Sequence, residues 1–364
     1  MFGRKNKDSK TCLHPKIVAI GGGTGLSTML RGIKLFTPHI TAVVTVADDG
    51  GGSGVLRHDL GMLPPGDIRN CILALANTEP IMEKLLQYRF TEGSLKGQSF
   101  GNLFLAAMNG ISSSFEEAVK KMSDVLAVTG KVLPVTLEDI TLYAELCDKT
   151  IICGESKIGK HNMDNPSPIK RIFIKPHRPK PLPEVIEAIL EADIIVLGPG
   201  SLYTSVIPNL LVDGVANAIQ KSKAVKIYVC NVMTQPGETD GYTLSQHIKA
   251  IENHSKKKII DCCIVNNSRI PQDIEKKYRN DGAELVKIDR KETLNMGIKI
   301  EEGNFLTILP NGYIRHDCIK LAKALLDIYK KTDMHERTDS GKKEQVAKKS
   351  YLDWSAKKCP FLQQ

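Results

Sequence analysis

The chain has 364 residues, of which 41% are hydrophobic and 25% charged. That is enough to bury a core in two domains, or in one large α/β domain with insertions, and it excludes a chain too polar to fold. No run of about 18 apolar residues occurs, so no transmembrane helix is expected. The polar, basic N-terminus lacks the apolar segment of a secretory signal, which makes the cytoplasm the expected location.

The formal net charge of +9 suggests nucleic acid until it is located. The first 16 residues carry five Lys/Arg against one Asp, and residues 331–364 carry eight against five acidic residues. The excess therefore sits at the two ends and not on a folded basic face, and no nucleic-acid partner is expected. The nine cysteines are odd in number and scattered, with no C-x-x-C pair, so neither zinc nor a redox pair is indicated. Cys230, Cys262 and Cys318 lie in or beside apolar runs and read as buried thiols.

In chain order, β-branched runs at 17–20 and 41–46 read as strands, with a helix over 26–36 between them. This is a βαβ unit, which implies a parallel sheet with a right-handed crossover. Helices follow at 67–76, 81–88, 103–108 and 115–126. From 132 to 175 the pattern becomes alternating and strand-like at 141–146, 150–153 and 169–174, with a polar turn at 159–162, and reads as a small antiparallel β insertion. Alternation of helix and strand then resumes: helix 185–191, strand 194–197, strand 226–230, helix 243–253, strand 259–265 and helix 272–278. Short strands at 285–288 and 305–308 and a last helix from 318 to 330 complete the expected fold. Residues 1–15 read as a basic extension, 16–331 as the α/β unit, and 332–364 as a charged, disordered tail. The predicted class is a Rossmann-like α/β fold: a mainly parallel sheet flanked by helices.

Five loops carry the chemistry, with a sixth at 233–240. The first strand stops at Gly21-Gly22-Gly23-Thr24-Gly25, directly before a helix. Glycine lets the backbone approach an anion, and the first free N–H groups of a helix point at it. The loop is neither of the common fingerprints. Leu26 stands where a Rossmann motif has its third glycine, and no Gly-Lys-Ser/Thr follows as in a P-loop. The next strand ends at Asp48-Asp49-Gly50-Gly51, whose carboxylates are candidates for a metal or for ribose hydroxyls. Pro65-Gly66-Asp67-Ile68-Arg69-Asn70 enters a helix, with Asp67 as its expected cap and Arg69 as a phosphate donor. Ser99-Phe100-Gly101-Asn102 opens another helix in the same way. Leu197-Gly198-Pro199-Gly200-Ser201-Leu202-Tyr203 repeats the opening theme, and Asn209 and Asn231 follow apolar runs as a second ligand-facing wall. Loop 233–240 is a candidate lid. The lone His58 and His316 read as structural, and no catalytic nucleophile or acid–base pair is recognisable.

These motifs, together with Asn231-Val-Met-Thr-Gln-Pro-Gly237-Glu238-Thr239, resemble the YvcK branch of the CofD-like family over roughly residues 16–330. Members of that branch are called gluconeogenesis factors. The resemblance implies a UDP-sugar ligand such as UDP-N-acetylglucosamine. It also implies a regulatory role in cell shape and cell-wall synthesis under gluconeogenic growth, exerted through a protein partner, with a homo-oligomer possible. By the same resemblance, Tyr278 stacks on uracil and Arg315 pairs with the diphosphate. The CofD branch implies the alternative, a magnesium-dependent transferase that moves a phospholactyl group from a guanosine diphosphate derivative to a deazaflavin. Asp48 and Asp49 would then hold Mg²⁺ and be the catalytic residues. A regulator needs no cofactor beyond its ligand. Two departures stand out: Gly52 replaces a common Ser, and Gln98 replaces a common His.

Overall fold

The computed structural model describes residues 14–164 and 167–339. The basic extension up to residue 13 and the tail from residue 340 lie outside the described residues. A seven-stranded sheet forms the centre, in the order β10-β9-β8-β7-β1-β2-β3. Its strands are β1 (Ile17–Gly21), β2 (Ile40–Val44), β3 (Lys131–Pro134), β7 (Ile194–Leu197), β8 (Val225–Val229), β9 (Cys262–Asn266) and β10 (Lys299–Gly303). Every neighbouring pair is parallel. Every residue of β1 and β7 is buried, because a parallel sheet covered by helices on both faces needs apolar side chains pointing both ways. That is why both strands were legible as unbroken apolar runs.

Chain order fixes where a ligand can sit. From β1 the chain builds outward through β2 to β3, and from β7 it builds the opposite way to β10. The direction reverses between β1 and β7, which pair with Ile17 opposite Ile194. The crevice outside the carboxyl ends of two such strands is the usual ligand position in open α/β sheets. Helix α1 (Gly23–Ile33) leaves β1 at this point and buries Leu26, Met29, Leu30 and Ile33. These residues recur at helical spacing and face α3 (Gly66–Leu75) and the last helix, Cys318–Asp339.

The antiparallel insertion consists of β4 (Thr141–Leu146) between β5 (Ile151–Cys153) and β6 (Ile169–Lys175). The remaining strands, β11 (Leu306–Ile308) and β12 (Ile314–His316), form a separate hairpin. Several expectations are corrected. Residues 131–134 belong to the edge of the main sheet, not to the insertion. The expected turn at 159–162 lies inside a helix, Glu155–Asp164. There the bare backbone of Gly237 packs against the Gly159 carbonyl, which a Cβ on Gly237 would strike, and the buried Ile158 and Asn162 hold the helix in place, so tertiary contact overrides the local signal. Helix α2 (Gly51–Leu60), masked by its glycine-rich start, follows the Asp48-Asp49 loop directly. Residues 285–288 make only the isolated bridges Met233–Leu285 and Thr243–Lys287. The last helix continues to Asp339, beyond the expected end at 330. No helix among the described residues is long and apolar enough to cross a membrane.

Candidate functional site

The loops after β1, β7 and β8 enclose a crevice of about 310 Å³, within the range of small-ligand sites. Gly22, Gly23, Thr24 and Gly25 form one wall, Pro199 to Ser201 the next, and Asn231 to Met233 the third. The hairpin closes the open side with Ile314, Arg315 and His316, beside Tyr278. Helix α1 has no side-chain cap and no acidic residue in its first turn. The Gly23 N–H is taken by the Asp67 carboxylate, and the Thr24 and Gly25 end of the helix, the positive end of its dipole, faces the crevice. Two details explain the glycines. Gly23 takes φ +66°, and a Cβ on Gly25 would lie 2.6 Å from the Pro199 carbonyl oxygen. The second contact brings the loops after β1 and β7 together. Asn231 locks the Gly200 peptide from the other side, accepting its N–H at 3.3 Å and donating to its carbonyl at 2.9 Å.

Other predicted residues stand behind these walls and do not line them. Tyr203 is 2% exposed, and its hydroxyl pairs with that of Tyr242 at 2.7 Å. It sits in a π-helical turn, Leu202–Val206, that turns it into the core. Asn209 is fully buried and donates to the carbonyls of Gly21 at 3.2 Å and Ser205 at 2.8 Å, so it supports the glycine loop from beneath. Gly198 is buried where Gly21 approaches it. Arg69 and Asn102 are also buried, with Arg69 Nε donating to Asn102 Oδ1 at 3.1 Å between α3 and the helix Phe100–Gly110. Successive residues turn by about 100° on a helix, so Arg69 leaves α3 roughly opposite Asp67 and away from the crevice. Asn70 is half-buried and does not line the crevice either.

Asp67 does reach the site's edge, though not as a cap. Pro65 holds the cap position, and the Asp67 carboxylate accepts from the Gly23 backbone. A Cβ on Gly22 would lie 2.5 Å from its Oδ2. Burial and the nearby Asp48 push the Asp67 pKa up to about 6 against that hydrogen bond. Further carboxyls extend the cluster. Burial, then Asp48, Asp67 and Asp49, raises Glu155 to about 7. Burial, then Glu155, raises Glu238 to about 8. Thr204 hydrogen-bonds to both glutamates, and Glu238 Oε2 is buried with no partner. Such groups hold or release protons near neutrality.

Asp48 and Asp49, the candidate metal pair, lie side by side in the chain but face different neighbours. Asp48 accepts from the Gly50 N–H at 2.9 Å and faces α3, whereas Asp49 accepts from the Ser156 N–H at 2.8 Å and faces the insertion. Among the described residues no group of three or more His, Cys, Asp or Glu is arranged to hold a metal ion.

Sequence reasoning missed Thr28, Ser205, Val232, Ile314 and His316 among the lining residues. Thr28 was readable, one helical turn after Thr24. His316 reads as structural from the sequence, and its place in the crevice follows from a three-residue strand too short to recognise.

A doubly wound parallel sheet with glycine loops gathered at its switch point defines a Rossmann-like protein with a crevice at the carboxyl ends of its strands. The chain belongs to the CofD family: the family model described as 2-phospho-L-lactate transferase CofD matches residues 17–306. A protein of Thermoanaerobacterium thermosulfurigenes is 63% identical over 314 residues, covering 86% of this chain and 97% of that one. The "Gluconeogenesis factor" of Bacillus subtilis is 48% identical over 317 residues, covering 87% of this chain and 98% of that one. A crystal structure of a UPF0052 family member from Bacillus halodurans superposes with a TM-score of 0.82 at 47% identity, covering 85% of this chain and 99% of that one.

Proposed function

We propose that the crevice binds a nucleoside diphosphate sugar, UDP-N-acetylglucosamine being the leading candidate, and that the chain acts as a ligand-responsive gluconeogenesis factor. The observation that carries this reading is the first turn of α1, Thr24 and Gly25, facing Gly200 and Ser201 across the crevice, with Arg315 and Tyr278 also lining it. The α1 amides and the Arg315 guanidinium suit a diphosphate, and the Tyr278 ring suits a base. A cytoplasmic role in cell shape and cell-wall synthesis during gluconeogenic growth, through a protein partner, completes the proposal; the B. subtilis relative's name supports its link to gluconeogenesis. Isothermal titration calorimetry of the full chain with UDP-N-acetylglucosamine tests it. Saturable binding is expected, and no heat at millimolar ligand would refute it.

The carboxyl cluster favours a second reading, that the site also transfers a phosphoryl-linked group. Asp67 and Glu155, whose pKa values burial and neighbouring carboxylates raise to about 6 and 7, are the candidates to accept a proton from an attacking hydroxyl near neutral pH. Release of a nucleoside monophosphate, assayed with and without Mg²⁺ and lost in Asp67→Asn, would support it. Absence of release under both conditions would leave the binding role alone.

A further inference from the structure

His316 has a place and a chemistry that neither reading uses. Side chains alternate along a strand, so Ile314 and His316 share one face of β12 while Arg315 takes the other. Ile314 packs in a small apolar cluster with Val232, and Tyr278 lies against that cluster. His316 therefore stands at the nucleoside end of the crevice.

Several polar groups near it are already engaged. Tyr278 Oη accepts from the Ile314 N–H at 2.8 Å. Arg315 can only donate, and its Nη1 reaches the Ile314 carbonyl at 2.9 Å. Asn231 spends its amide on Gly200. Thr28 donates its hydroxyl to the Thr24 carbonyl at 2.8 Å. His316 is different. One ring nitrogen is hydrogen-bonded to the Cys230 backbone, which fixes the tautomer. Burial holds the ring neutral, with its pKa down at about 4. A neutral imidazole that donates from one nitrogen offers a lone pair on the other.

We propose that His316 reads the base of the bound nucleotide, its free ring nitrogen accepting the imide N–H of a uracil-type base held against Tyr278. The proposal rests on the crevice being a nucleoside diphosphate site. Uracil presents an N–H at the centre of its pairing edge, whereas cytosine and adenine present a ring nitrogen lone pair there. Two facing lone pairs repel and leave both groups without a partner in a desolvated site, which is the condition under which discrimination is strong. His316 is thus a specificity-determining residue, distinct in task from the charge pairing of Arg315.

The test compares UDP and CDP on the full-length protein by calorimetry. Wild type is expected to prefer UDP by about tenfold or more. His316→Phe, which keeps the ring and removes the lone pair, should bring the two affinities to within about threefold of each other. His316→Gln, which restores an acceptor, should recover the preference. An unchanged preference in His316→Phe with UDP binding intact overturns the assignment and leaves the crevice reading standing. If neither nucleotide binds wild type, both readings fall together. Should the Phe variant not fold, N3-methyl-UDP against wild type decides: a loss of about tenfold supports the proposal, and an affinity equal to that of UDP overturns it.

Discussion

Replacing Glu238 by Gln should make the protein more stable at pH 8 and leave it nearly unchanged at pH 4.5. Glu238 is 5% exposed and its Oε2 has no partner. Burial and Glu155 raise its pKa from 4.5 to about 8. A carboxyl whose folded value is raised contributes stability fully below its unfolded pKa and loses it as the pH climbs through the folded value. At pH 7 the unfolded group is ionised while the folded one keeps its proton, a cost of roughly 3 kcal/mol. Glutamine resembles the protonated acid: its oxygen can still accept from Thr204, which lies 3.4 Å from Oε1. The gain should therefore approach about 4 kcal/mol at pH 8 and nearly vanish at pH 4.5. Urea unfolding followed by circular dichroism at both pH values measures it. Using the difference between variant and wild type removes opposing contributions, notably from His316, whose depressed pKa destabilises the fold as the pH falls toward 4. A stability change of equal size at both pH values would refute the assignment of a proton-holding Glu238.

Three further outcomes are expected. Gly25→Ala should cost about 1–3 kcal/mol in urea unfolding and weaken nucleotide binding, because its Cβ meets Pro199 backbone that cannot rotate away. Tyr203→Phe should cost about 1 kcal/mol for the lost bond to Tyr242 yet leave nucleotide affinity unchanged, since Tyr203 lies behind the crevice wall; a large affinity loss by calorimetry would return it to the site. Arg315→Ala should weaken UDP-N-acetylglucosamine binding by about 1.5–3 kcal/mol, the scale of a charge-assisted hydrogen bond; unchanged affinity would exclude that role.

The parts of this molecule legible from sequence are those set by local rules. Unbroken apolar runs at β1, β7 and β9 announced buried parallel strands, and Gly21 to Gly25 announced the turn between β1 and α1. What local rules cannot give is the side of a wall on which a residue stands. Arg69, Asn102, Tyr203 and Asn209 belong to the right motifs but face inward, where they hold the loops in place. The opposite error occurred at the hairpin. The helix Gln272–Asn280 buries no residue fully, and β12 has three residues, so neither pattern marks Tyr278 or His316 as part of a site. Resemblance found Tyr278 and Arg315; three-dimensional placement alone found His316. The carboxyl cluster was hidden for a related reason: Asp67, Glu155 and Glu238 come from three distant segments, and their shared burial raises their pKa values.

The central claim is that the diphosphate of a nucleotide sugar rests on the first turn of α1. A crystal structure of the full chain with UDP-N-acetylglucosamine tests it most directly. The account predicts phosphate oxygens within hydrogen-bonding distance of the Thr24 and Gly25 N–H groups, with the base beside Tyr278 and His316. A ligand bound elsewhere, or seated with its diphosphate away from α1, would contradict it.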